Sequence, residues 1–205
     1  FEIEIHGLNP EMSAEKFKEI SNAFNGRENG YLNNGLENRD NYYMKRVYLG
    51  CVRSIDLLTS LPEWDGKNVI VQGGSQGGAL ALITTGLDSR VTACVVNHPA
   101  LSDMAGYKAG RAGGYPHFFR VEGMDTPDKL KTMAYYDVVN FARMIKVPTY
   151  ITWGYNDDTC PPTTSYAVYN VLDCPKEALI TPINEHWTSD ATEYGQLKWI
   201  LRHLK

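Results

Sequence analysis

The stretch NVIVQGGSQGGAL, residues 68–80, constrains the fold more than any other part of this sequence. A β-branched apolar run ends in two glycines, Ser75 follows after Gly74, and a second glycine pair leads into a run rich in alanine and leucine. That order predicts a strand, a sharp turn and a helix, with Ser75 at the turn. An ordinary glycine-rich turn would use the same residues. A nucleophile elbow, G-x-S-x-G, gives the glycines a reason: Gly73 and Gly77 flank a serine held in a strained backbone, where side chains would collide with the neighbouring strand or helix. Gly74 and Gly78 add room.

Around the elbow, short apolar runs alternate with helix-like stretches. The strand-like runs are FEIEI (1–5), VIVQ (69–72), TACVVN (92–97), TYITW (149–153) and ALITP (178–182). In residues 41–58, Val47, Cys51, Ile55 and Leu58 mark one apolar helical face. Further helices are predicted from Gln76 to about Gly86, over 162–172 with Pro162 and Thr163 or Thr164 as start signals, and over 190–204 with Asp190 as cap. Strands alternating with helices imply an α/β fold with a mostly parallel sheet covered on both faces. The gap from His98 to Val147 is long, and its glycine- and aromatic-rich part, 103–123, reads either as an excursion over the sheet edge or as a surface loop with a few helical turns. No repeat or linker divides residues 1–205, so one domain is expected. A strand without a lead-in at Phe1 suggests that upstream strands of the same sheet are missing.

Composition narrows the function classes. The 205 residues are 43% hydrophobic and 21% charged, a globular balance, and the net charge of -4 offers no basic surplus for nucleic acid or an anionic membrane. No apolar run approaches the roughly 18 residues of a spanning helix, so no membrane partner is expected. The start at Phe1, without Met, leaves the compartment open. Cys51, Cys94, Cys160 and Cys174 lie far apart with no CxxC pair, which argues against a zinc site. Cys51 and Cys94 are expected to be buried, while pairing of Cys160 with Cys174 stays open.

A serine nucleophile needs a base, an acid and donors for an oxyanion. Elbow hydrolases place the acid and then the histidine after the serine. His98, His117, His186 and His203 all follow Ser75; His203 belongs to the last helix, as a surface residue, and His186 lies in INEHWTS, just past a predicted strand. His186 is therefore the expected base. Asp157 and Asp158 both follow the strand TYITWG, and spacing barely chooses between them; Asp103, Asp125 and Asp137 follow no strand end as directly. Gln76, next after the serine, offers its backbone N–H to the oxyanion. His6 and Gly7 are a weaker candidate for the second donor, which is expected upstream.

GGSQGG, then GYNDDTCPPTTSYAVYN and then NEHW resemble the acetyl xylan esterase and cephalosporin-C deacetylase family of α/β-hydrolases. Weaker similarity runs through residues 41–56 and 133–148. The resemblance implies Ser75 as nucleophile, Asp157 rather than Asp158 as acid from the G-x-x-D-x-x-C/T-P-P pattern, and His186 as base. It further implies an acyl-enzyme reaction on small acetylated carbohydrates with no metal or organic cofactor, and a polysaccharide role would favour a secreted or periplasmic protein. FEIEIHGLN stands where the family has an R-G-Q-G turn, with His6 for Arg and Leu8 for Gln, and the tyrosine loop that completes the family's oxyanion hole would lie upstream. Members often form ring-like oligomers, but the region after Asn9 and Pro10 differs, so a homo-oligomer stays open. A general carboxylesterase or peptidase, or a non-catalytic binding domain of the same fold, are the competing readings.

Overall fold

The computed structural model describes residues 2–3, 11–23 and 30–205. Among these, β1 (Ile70–Gly74), β2 (Ala93–Asn97), β3 (Thr149–Gly154) and β4 (Lys176–Thr181) form one sheet in the order β1-β2-β3-β4. All three pairings are parallel, with Ile70 opposite Ala93, Cys94 opposite Thr149, and Thr149 opposite Lys176. Parallel neighbours require crossovers. These are α4 (Gln76–Leu87), the pair α5 (Pro127–Tyr136) and α6 (Val138–Ala142), and α7 (Pro162–Val171). Three helices precede the sheet, α1 (Ala14–Ala23), α2 (Gly30–Asn33) and α3 (Tyr43–Ser60), and α8 (Asp190–His203) follows it.

β2 shows why both faces must be covered. Cys94 and Val96 pack into the main core with residues of α3, α4 and α6, whereas Ala93 and Val95 pack on the other side against Trp199 of α8. The two-residue strand period therefore serves two cores. α4 lies deepest, with Gly78 through Thr85 buried in sequence, so its helix is apolar all round rather than striped. Burying side chains such as Leu82 and Ile83, both fully enclosed, is worth about 1.5–3 kcal/mol each. Trp199 satisfies its indole by donating Nε1–H to Glu177 Oε1 at 2.9 Å.

Several sequence expectations shift in detail. β1 continues through Gly73 and Gly74, and β4 starts at Lys176, where charge hides the strand signal. The α8 cap is Ser189, whose Oγ accepts from Thr192 N, and Asp190 is the first helical residue. α7 starts at Pro162 without a side-chain cap. Residues 103–123 form a loop with two short 3-10 turns, Gly106–Ala109 and Phe118–Arg120, in line with the second reading, but Phe118 and Phe119 enter the main core; α5 and α6 then complete the crossover. Most of FEIEI lies outside the described residues. All four cysteines are free thiols; Cys51, Cys94 and Cys160 are buried and Cys174 is half-buried. Among the described residues, no helix is long and apolar enough to cross a membrane.

Candidate active site

β1 ends against the start of α4, and the turn between them sets Ser75 at φ 53° and ψ −119°. A non-glycine residue holds that conformation only when its surroundings impose it. Ser75 N–H donates to Asn97 O at 3.0 Å, while Ser75 O accepts from Ala79 N and Ala100 N, both at 3.0 Å. Close backbone approach explains two of the four glycines. A Cβ on Gly73 would lie 2.3 Å from the Gly77 carbonyl, and one on Gly78 would lie 2.9 Å from Asn97 O. Gly77, in contrast, has open space around its Cβ position, so the expected collision holds for Gly73 but not for Gly77, and the second close approach is at Gly78.

The carboxyl ends of β3 and β4 bring the other two groups to this turn. His186 Nε2 lies 2.9 Å from Ser75 Oγ, and His186 Nδ1 lies 2.8 Å from Asp157 Oδ2. The ionised carboxylate only accepts, so Nδ1 carries the proton and Nε2 faces the serine hydroxyl as acceptor. The Asp157 carboxylate is fully enclosed, and its second oxygen accepts from Thr159 N at 3.0 Å and Cys160 N at 2.8 Å. Asp158 is exposed and bonds only its neighbour Thr159 among the described residues. Ser75, Asp157 and His186 thus meet, and the aspartate next door stands apart. Gln76 opens α4, where a first-turn N–H has no intrahelical acceptor, and its side-chain Oε1 accepts from Tyr31 Oη at 2.8 Å. His6 and Gly7 lie outside the described residues.

Sequence reasoning missed three neighbours. His98, first after β2, is buried with φ 31°, and its ring centroid lies 4.3 Å from that of His186. Burial, reinforced by the adjacent His186, pushes its pKa down to about 4, so it is neutral where the enzyme would work. One ring nitrogen of each histidine and one Asp157 oxygen lie within 4.8 Å of one another, the one such grouping of three among the described residues able to hold a metal ion. Cys160 is buried, its backbone N–H is one of the two that hold Asp157 Oδ1, and burial raises the pKa of its thiol. His117 donates Nε2–H to Thr159 O at 2.9 Å and accepts from Tyr107 Oη at 2.6 Å, tying the acid loop to the long crossover. Cys160 is the C/T position of the pattern that picks out Asp157, whereas no motif flags His98 or His117 as neighbours of the site, because their approach depends on tertiary proximity. His203, expected at the surface, is half-buried and stacks on Trp199 with centroids 3.8 Å apart.

The acetyl xylan esterase (AXE1) family model matches residues 11–203. An acetyl esterase of Xylanibacter ruminicola is 71% identical over 204 residues, covering 100% of this chain and 46% of its own length. The solved acetyl xylan esterase from Paenibacillus sp. R4 superposes with a TM-score of 0.78 at 33% identity, over 85% of this chain and 58% of that one. Acetyl xylan esterase 1 from Thermoanaerobacterium sp. JW/SL YS485 gives the same TM-score of 0.78 at 26% identity, over 87% and 59%. The chain therefore spans about half the length of these relatives, and its sheet is that of an α/β-hydrolase. It belongs to the acetyl xylan esterase family.

Proposed function

We propose that this chain carries the catalytic residues of a serine esterase that removes acetyl groups from acetylated carbohydrates such as xylooligosaccharides. The observation that carries the reading is the continuous relay from Ser75 Oγ through His186 to the enclosed Asp157, with contacts of 2.9 and 2.8 Å. His186 Nε2 takes the Ser75 proton as Oγ attacks the acetyl carbonyl. The carbonyl oxygen becomes an oxyanion that the Gln76 N–H helps to hold. Asp157 keeps the proton on Nδ1 and steadies the imidazolium. Collapse of the intermediate breaks the ester bond, the imidazolium returns its proton to the departing sugar hydroxyl, and the acetyl group stays on Ser75. Water, deprotonated by the same nitrogen, then releases acetate and restores Ser75.

The acetyl preference is supported by the relatives, whose names specify acetyl esters and acetyl xylan. The triad alone serves peptidases and general carboxylesterases equally well. A polymeric sugar substrate favours an exported enzyme. The test compares acetate release from acetylated xylooligosaccharides with hydrolysis of long-chain acyl esters and peptides by the full-length protein. Faster acetate release supports the reading, and equal or faster peptide cleavage overturns it.

A further inference from the structure

We propose that His98, His186 and Asp157 form an inhibitory binding site for Zn²⁺. The inference rests on the catalytic triad and not on the acetyl preference. Two features of His98 lead to it. Its imidazole is buried beside His186, yet the ring makes no hydrogen bond to a described residue, so its nitrogens are not committed elsewhere. Its ring is also tilted 50° against that of His186 rather than stacked flat, and one nitrogen from each ring lies within 4.8 Å of an Asp157 oxygen. Two neutral imidazoles and one carboxylate are a donor set that zinc accepts, with a further position left for water.

The distances favour a metal that is reversible rather than structural. Zinc bonds of 2.0–2.1 Å set tetrahedral ligand atoms roughly 3.3 Å apart. His186 Nδ1 and Asp157 Oδ2, at 2.8 Å, are already close enough, and His98 has to close in from as far as 4.8 Å. The residues between Thr181 and Asp190 form neither helix nor strand, so His186 can give way. Zinc also has to break the resting His186–Asp157 hydrogen bond, which limits its affinity.

Inhibition follows from the proton. The metal takes the Nδ1 lone pair, and the proton that Nδ1 holds at rest is displaced to Nε2, the nitrogen facing Ser75 Oγ. A protonated Nε2 cannot accept the serine proton, so the nucleophile loses its base. Removing the metal returns the proton to Nδ1 and restores the relay.

The test titrates Zn²⁺ into the full-length protein in chelator-free buffer, with p-nitrophenyl acetate as substrate, and then adds EDTA. The expected result is inhibition fully reversed by EDTA, with an inhibition constant raised about tenfold or more by His98→Asn when each protein is scaled to its own zinc-free rate. Equal constants for the two proteins, or inhibition that EDTA does not reverse, overturn the proposal. Equilibrium dialysis of Zn²⁺ against Ser75→Ala gives a reading independent of turnover, so it holds whatever ester the enzyme prefers. One zinc per chain is expected, lost on adding His98→Asn; no retained zinc, or zinc retained by the double variant, contradicts the site. If His98→Asn fails to fold by circular dichroism, His98→Gln takes its place in both experiments.

Discussion

The nucleophile elbow and the histidine loop reach the same few ångströms of space by different means. At the elbow, backbone packs on backbone: Gly73 against the Gly77 carbonyl, Gly78 against Asn97 O, and three hydrogen bonds on the main chain of Ser75. α4 behind it is buried along most of its length. The histidine loop is mostly outside, with Ile183 75% and Trp187 49% exposed. It is positioned by few contacts. Asn156 N–H donates to Asn184 O at 3.1 Å, a Cβ on Gly154 would lie 2.0 Å from that same oxygen, and Asp157 holds the His186 ring itself. The serine is thus fixed by backbone packing in the core, and its base by the Asp157 side chain, one tight glycine and the hydrogen bonds of Asn156 and Asn184 along the loop.

That contrast predicts that the chemical residues separate sharply from their neighbours. Ser75→Ala should lower ester hydrolysis by about 10⁴-fold or more while leaving the thermal unfolding midpoint nearly unchanged. Asp157→Asn should cost about 10²–10⁴-fold in kcat, because the imidazole loses the acceptor that fixes its tautomer, whereas Asp158→Ala should stay within about threefold. A larger loss at Asp158 would show that the acid has been assigned to the wrong residue.

Glycine variants sharpen the comparison at smaller effect. Gly154→Ala should push the histidine loop away and lower kcat by about 10–100-fold, with the elbow still intact as read by unchanged burial of α4 in hydrogen exchange. Gly73→Ala should destabilise the whole fold by about 3 kcal/mol in denaturant unfolding, while Gly77→Ala should be neutral or stabilise by up to about 1 kcal/mol. Equal effects at Gly73 and Gly77 would break the backbone-contact account of the elbow.

The last effect is on the pH dependence of stability and concerns His98. Its folded pKa near 4 lies below the ordinary histidine value of 6.5. As pH falls below 6.5 the unfolded chain takes up a proton that the folded protein refuses. Stability present above pH 6.5 is therefore lost progressively toward pH 4, by about 2 kcal/mol. Unfolding midpoints measured between pH 7 and 4.5 should fall less steeply in His98→Asn than in the native protein.

What could be read from the sequence follows the same division. The elbow was legible because its constraint is local: glycines at fixed offsets from Ser75, after an apolar run and before a helical one. His186 and the aspartate pair were legible from chain order, since each follows a strand at the same end of a parallel sheet. Choosing Asp157 over Asp158 needed a resemblance, because only the folded loop encloses one carboxylate and leaves its neighbour in water. His98, directly after the strand TACVVN, met the same order rule, but nothing local marked it as a neighbour of His186. Its proximity to His186 arises from the sheet order, in which only β3 stands between β2 and β4, and its positive φ belongs to the fold rather than to the residue type. The crossover helices α5 and α6 were obscured by the long, aromatic-rich segment before them, which packs as core without helical periodicity.

The most direct test of the account is to trap the acyl-enzyme. The full-length protein is mixed rapidly with p-nitrophenyl acetate, quenched in acid and digested, and the peptides are weighed by mass spectrometry. The account predicts one acetyl group on the peptide containing Ser75, absent from Ser75→Ala. Acetate release without acetyl on that peptide, or the same acetylated peptide from Ser75→Ala, would contradict it.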